Sequence, residues 1–161
     1  MFKVGEKVVY PVHGAGIIES IEQQEVLGEI RSYYVLKLST GGLKVLVPVD
    51  GVEHAGLRSI CSCAVLEEVR AILCAEPSPW EDNWNRRYRT NMDKIKSGDI
   101  KEIAEVVRNL TLRDMGRGLS SGEKKMLDNA KKILISEIVL AKSITAEDAA
   151  EELHELFVKR I

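Results

Sequence analysis

Apolar positions along the chain change period near residue 60, and the change separates two kinds of predicted structure. Before it, short runs alternate: Phe2 and Val4 stand between Lys3 and Gly5, and Lys7-Val8-Val9-Tyr10 runs into Pro11. A period of two is the mark of strands with one face on a core. His13-Gly14-Ala15-Gly16 predicts a tight turn, because glycine reaches positive φ without steric penalty. Residues 16–22 and 31–38 are further runs rich in β-branched and aromatic side chains. Ser39-Thr40-Gly41-Gly42 links the second of these to residues 43–47, which predicts a hairpin. Pro48 then confines the last strand to a sheet edge or an exit.

After residue 60 the spacing becomes helical. Val65, Val69, Ile72 and Leu73 share one face of a segment that ends near Ala75. Residues 76–83, "EPSPWEDN", break it with two prolines and three acids. A second helix is expected over Trp84–Lys96, stopping before Gly98. Asp99, with Glu102 three residues on, predicts a capped third helix whose face carries Ile103, Val107 and Leu110. "MGRGLS" at 115–120 is a break. Ser120 and Glu123 form a capping-box pattern for a long fourth helix striped by Leu127, Ala130, Leu134, Ile138 and Ala141. Thr145 begins a last helix carrying Ala149, Leu153 and Leu156. The expected architecture is α+β: a small SH3- or Tudor-like β-barrel over residues 1–58, followed by an all-α unit of about five helices over residues 59–161.

Composition narrows the function classes. The 161 residues are 45% hydrophobic and 30% charged with a formal net charge of −2, so nothing attracts the whole protein to nucleic acid or an anionic membrane. Binding of that kind requires a local patch, and the second half has the segregated charge to build one. Trp84–Lys96 sets Arg86, Arg87, Arg89, Lys94 and Lys96 against Asp93 alone, and residues 117–132 set five bases against Glu123 and Asp128. From Thr145 onward five acids precede Lys159 and Arg160. The charged, alternating N-terminus is unlike a secretory signal, and the apolar runs are too short to span a membrane, so a cytoplasmic location is expected.

Cys61, Cys63 and Cys74 are too few for a disulfide framework, and Cys61-Ser62-Cys63 lacks the two-residue spacer of a zinc knuckle. Even with His54 as a companion ligand, reduced thiols are the simpler reading, and neither metal nor cofactor is expected. His13, His54 and His154 have no nucleophile partner at motif spacing, and no GxxxxGK loop is present, which argues against an enzyme.

The segment "DNWNRRYRTN" at 82–91 carries the sharpest chemistry. Trp84, Tyr88, Met92 and Ile95 form the stripe of an ordinary amphipathic helix, with Trp84 partly in the core and the arginines on a solvated face. Trp84 also stands at the first helical turn, where a side chain projects past the packed stripe. Flanking guanidiniums hold phosphates as permanent, fork-shaped charges. An indole set between them can wedge against a base step or stack on an unpaired base. No base-reading motif accompanies them, so backbone and shape recognition is the expected mode.

Five blocks in order resemble the CarD/CdnL-type bacterial transcription regulators: "FKVGEKVVYPVHGAG" (2–16), "LKVLVPVDGVEHAGLR" (43–58), "NWNRRYRTNMDKIKSGD" (83–99), "AEVVRNL" (104–110) and "RGLSSGEKKMLDNAKKIL" (117–134). The first block alone is shared with the polymerase-binding module of transcription-repair coupling factors. The resemblance implies a Tudor-like N-terminal domain that binds the RNA polymerase β subunit. It also implies a helical domain that touches promoter DNA at the upstream edge of the bubble, favouring the open complex. In that family a tryptophan matching Trp84 wedges into the minor groove, and basic residues matching Arg86, Arg87, Arg89 and Lys124 face phosphates. Arginines stand in the family at the positions matching Gln24 and Leu46, which implies that the ionic part of any polymerase contact differs here. The rival reading is a protein-interaction adaptor whose barrel binds polymerase or a peptide without DNA contact. Recognition of a methylated side chain would need an aromatic cage, and adjacent Tyr33 and Tyr34 point to opposite faces of a strand.

Overall fold

The computed structural model describes residues 2–51 and 56–159. Strands β1 (Lys7–Tyr10), β2 (Gly14–Val26), β3 (Glu29–Leu38), β4 (Lys44–Pro48) and β5 (Arg58–Ser59) form one antiparallel sheet in the order β4-β3-β2-β1-β5. This is the Tudor-like barrel that the sequence predicts. Val8, Ile18, Tyr34, Leu36, Leu38, Val47 and Leu57 fill its core. Tyr34 is buried and Tyr33 lies on the opposite face at the surface, so the two tyrosines do not line one cage. β4 is an edge strand, and Pro48 closes it where a missing amide leaves no neighbour unsatisfied.

Two local expectations are corrected. Residues 2–5 form no strand: the chain turns at Val4 and Gly5, where φ is +91°, and the Phe2 ring packs edge-on against Tyr34 at 6.1 Å. The turn expected at 13–16 falls earlier, at 11–13, with Val12 itself at φ +74°. Gly14 already belongs to β2, and glycine is required there for another reason. Its φ is +107°, and a Cβ would lie 2.8 Å from Ser136 Oγ of a helix packed behind it.

Helices α1 (Cys63–Cys74), α2 (Trp84–Lys96), α3 (Ile100–Gly116), α4 (Ser121–Lys142) and α5 (Ala146–Val158) follow among the described residues. Each starts on a side-chain oxygen: Ser62, Asn83, Asp99, Ser120 and Thr145 accept from amides of the first turn. The capping boxes are incomplete, however. Asp99 caps Lys101 N, but its own N–H donates to Ser97 Oγ at 3.1 Å, not to Glu102. α3 also runs on to Gly116, into the stretch expected as a break. Ile95, Ile103, Val107, Leu110, Leu127 and Leu134 make the helical core, and α5 buries Phe157 while Leu156 stays half-exposed. No helix among the described residues is long and apolar enough to cross a membrane.

The two units are joined by a polar seam along α4. Ala15 N donates to Ser136 Oγ at 2.8 Å, Ser39 Oγ to Ser136 O at 3.0 Å, and Lys7 Nζ to Leu140 O at 3.1 Å. Arg58, on β5, grips the Glu137 carboxylate with two bonds of 2.9 and 2.7 Å and donates from Nε to Gly98 O at 2.8 Å. Cys61 N donates to the same carboxylate at 2.8 Å. Gly98, at φ +73°, brings the α2–α3 turn so near Pro11 that a Cβ there would lie 2.9 Å from the ring. Barrel, seam and helices therefore form one continuous body.

Candidate nucleic-acid interface

The N-terminus of α2 meets the N-terminus of α4, and Trp84 sits between them. Asn83 Oδ1 accepts from Arg86 N at 3.0 Å, which starts the helix with Trp84 in its first turn. The indole is 41% exposed, stacks on Tyr88 at 4.9 Å with an 18° tilt, and donates from Nε1 to Ser120 Oγ at 3.1 Å. The same hydroxyl caps α4 by accepting from Glu123 N and donates to Glu123 Oε1 at 3.0 Å. Trp84 is thus anchored on one side and open on the other. Along its stripe, Tyr88 and Met92 are half-buried and Ile95 is fully buried.

The four basic residues divide. Arg86, Arg89 and Lys124 are exposed and carry no ion pair among the described residues. Arg87 differs from the expectation of a phosphate-facing side chain. Its Nε and Nη2 bond both oxygens of Glu123 at 2.8 and 3.0 Å, and Nη1 donates to Glu81 O at 2.8 Å. Only 12% of the side chain is exposed. Its guanidinium lies over the Trp80 ring at 4.2 Å, and Arg113 lies over that ring at 4.3 Å. The physical reason is Glu123: only 3% of this side chain is exposed, and a carboxylate buried so deeply requires a partner. Nearby, Arg108 ties the last turn of α1, through Ile72 O, to Ser78 Oγ of the residues between α1 and α2.

The hydrogen bonds from Arg87, ahead of the opposing effect of burial, hold the Glu123 carboxyl below its ordinary 4.5. As pH falls the unfolded chain takes up this proton first. The pair therefore contributes its full stability above about pH 4.5 and loses it as pH drops through the folded pKa. The resistance of the wild type to urea should weaken on acidification below that point, and Glu123→Gln should flatten the decline.

The polymerase-side candidates lie on strands β2 and β4 of the barrel. Gln24 pairs with Arg31, and Leu46 pairs with Val35. Arg31 and Val35 lie an even number of residues apart on β3, so Gln24 and Leu46 share a sheet face. Both are exposed, Leu46 on edge strand β4. Arg31, cross-strand from Gln24, puts a cation on this face and is held by Glu29 at 3.2 Å.

His13 stacks on Tyr10 at 4.7 Å as part of a turn. His54 lies outside the described residues. Burial first, and then the Glu137 carboxylate, push the Cys61 thiol up to about 12, so it stays protonated and unreactive. No three His, Cys, Asp or Glu residues gather to hold a metal among the described residues. Sequence reasoning missed Glu123, Ser120 and Trp80 as parts of this site. The signal was present in the Ser120/Glu123 spacing, but it reads as a helix cap alone.

Two family models cover most of the chain. "CarD-like/TRCF RID domain" matches residues 2–61, and "CarD, C-terminal domain" matches residues 68–154. The Bacillus subtilis (strain 168) protein named "Putative transcription factor YdeB" is 42% identical over 145 residues, which is 90% of this chain and 95% of that protein. The solved structure "CdnLNt from Myxoccoccus xanthus" is 40% identical over 38% of this chain and 87% of that one, with a TM-score of 0.33. Matches to both halves of the family's architecture, with a relative aligned nearly end to end, establish that the chain belongs to the CarD family of CarD/CdnL-type transcription regulators.

Proposed function

We propose that the protein bridges RNA polymerase and promoter DNA, and that it stabilises the open complex through Trp84. The barrel, residues 1–58, rides on the polymerase β subunit. Its contact surface is the face carrying Gln24 and Leu46, with edge strand β4 free to extend a partner's sheet. Backbone pairing at an edge does not need the charges missing from these two positions. The helical unit, residues 59–161, meets DNA at the upstream edge of the bubble. The single observation that carries this reading is an indole 41% exposed at a helix start, beside the cations Arg86, Arg89 and Lys124, which are unpaired among the described residues.

The energetics require little DNA affinity from the protein alone. A short tether to polymerase raises the effective DNA concentration to roughly millimolar. A regulator shifts opening only by binding the open form better than the closed one. An indole stacked on an unpaired base is worth about 1–3 kcal/mol, and about 1.4 kcal/mol shifts the equilibrium tenfold. Phosphate contacts from the three cations orient the ring without reading sequence.

Trp84→Ala should therefore shorten the lifetime of open complexes on a weak promoter by about tenfold, with capture by polymerase unchanged. The lifetime is read by challenging preformed complexes with a competitor. A lifetime equal to wild type, at equal polymerase binding, would falsify the wedge.

A further inference from the structure

Trp84 is held by a chain of polar groups that ends on a buried carboxylate. The indole N–H donates to Ser120 Oγ at 3.1 Å, Ser120 Oγ donates to Glu123 Oε1 at 3.0 Å, and Glu123 binds Arg87 through both oxygens. Capping α4 requires only the Ser120 hydroxyl, which already accepts the Glu123 N–H at 3.2 Å. A glutamate that merely favoured the helix N-terminus would lie at the surface, as Glu147 does in the first turn of α5. Glu123 is instead buried, and both of its oxygens are committed to groups that touch or flank the exposed indole.

We infer that Glu123 is a positioning residue for Trp84: its carboxylate fixes Ser120 and Arg87 so that the indole stays against Tyr88 with its open side toward solvent, and Arg87 serves this support in place of a DNA phosphate. This rests on the reading of Trp84 as the wedge. An unsupported ring at a first turn exchanges among rotamers, and ordering it on binding weakens the complex. Holding the ring in advance removes that loss. The same chain explains how four basic positions divide their labour: three stay free for phosphate, and one is committed inside the protein.

The test uses the full chain and two readouts. Glu123→Gln keeps size while removing the charge and replacing one of the two acceptor oxygens with a donor NH2. With two tryptophans in the chain, a nitrogen-15 indole spectrum contains two signals, and the one that disappears in Trp84→Ala belongs to Trp84. In Glu123→Gln the Trp84 signal should shift and its N–H should exchange faster with water. Open-complex lifetime, measured for wild type, Glu123→Gln, Trp84→Ala and the double variant, should fall by about threefold to tenfold on Glu123→Gln when Trp84 is present. It should not change further when Trp84 is already alanine. An unmoved Trp84 signal, or equal shortening in both backgrounds, overturns the inference. Should Trp84→Ala itself leave the lifetime at wild type, the wedge fails, and the indole signal alone decides whether Glu123 holds the ring. Ser120→Gly cuts the same chain with only a small loss of capping, and it takes both measurements if Glu123→Gln does not fold.

Discussion

Glu137→Ala should lower the free energy of unfolding by about 3–5 kcal/mol, the range for removing one partner of a buried ion pair. The carboxylate is 2% exposed and receives three donors: Arg58 Nη1 and Nη2 and the Cys61 amide. Alanine removes the acceptor of all three; Arg58 Nη1 keeps only its bond to Ser59 O at 3.1 Å, and Nη2 and the Cys61 amide are left without a protein acceptor. Arg58 fares worst, because burial alone would lower its pKa and Glu137 is what raises it. The loss should appear as a lower urea midpoint. Replacing both partners with apolar residues, Arg58→Met with Glu137→Leu, should recover most of it, because no charge is then stranded. A single-variant loss below about 1 kcal/mol would mean that water already reaches the pair.

Arg87→Ala and Arg89→Ala should fail in opposite ways, although the two arginines stand two positions apart on one helix. Removing Arg87 strands the Glu123 carboxylate, so stability should fall by about 3–5 kcal/mol. The salt dependence of DNA association should keep its slope, because the Arg87 donors are already committed to Glu123 and Glu81 O. Arg89 is exposed and unpaired among the described residues, so its removal should change stability by less than about 0.5 kcal/mol. The slope of log affinity against log salt should instead become shallower by about 0.9 for each phosphate that is no longer neutralised. Thermal melts and a salt titration on forked DNA measure both quantities. A shallower slope for Arg87→Ala would return that residue to the phosphate-binding set.

The contrast shows where sequence is legible. Element type followed from period: alternation produced the barrel, and stripes such as Leu127, Ala130 and Leu134 produced α4, because burial on one face imposes a spacing that is visible along the chain. Local turn chemistry was read less well. The β2–β3 hairpin turns at Leu27 and Gly28, both at positive φ, a two-residue turn that the 31–38 run alone does not announce. For the candidate site, sequence reasoning proposed Trp84 and four basic residues but could not sort them. Arg86, Arg87 and Arg89 look alike in one dimension. What separates Arg87 is a carboxylate from a distant helix, and a pairing that arises only on folding leaves no spacing to detect. Glu123 was hidden for the same reason. Its position satisfied a capping pattern, which supplied a sufficient local explanation while the tertiary one was out of view.

Glu123 and Glu137 occupy a single uninterrupted helix, α4, about four turns and roughly 21 Å apart. One is tied to the tryptophan end of the molecule and the other to the barrel. The span between the two attachment points is consequently written in helix rise, a quantity that side-chain substitutions hardly alter and that chain length alters at once. One added residue between them would move one end by about 1.5 Å and swing it by about 100°. An exchange of residue at this stretch leaves the spacing between Trp84 and the barrel as it is, whereas an insertion resets it: the separation is set by a ruler of fixed graduation.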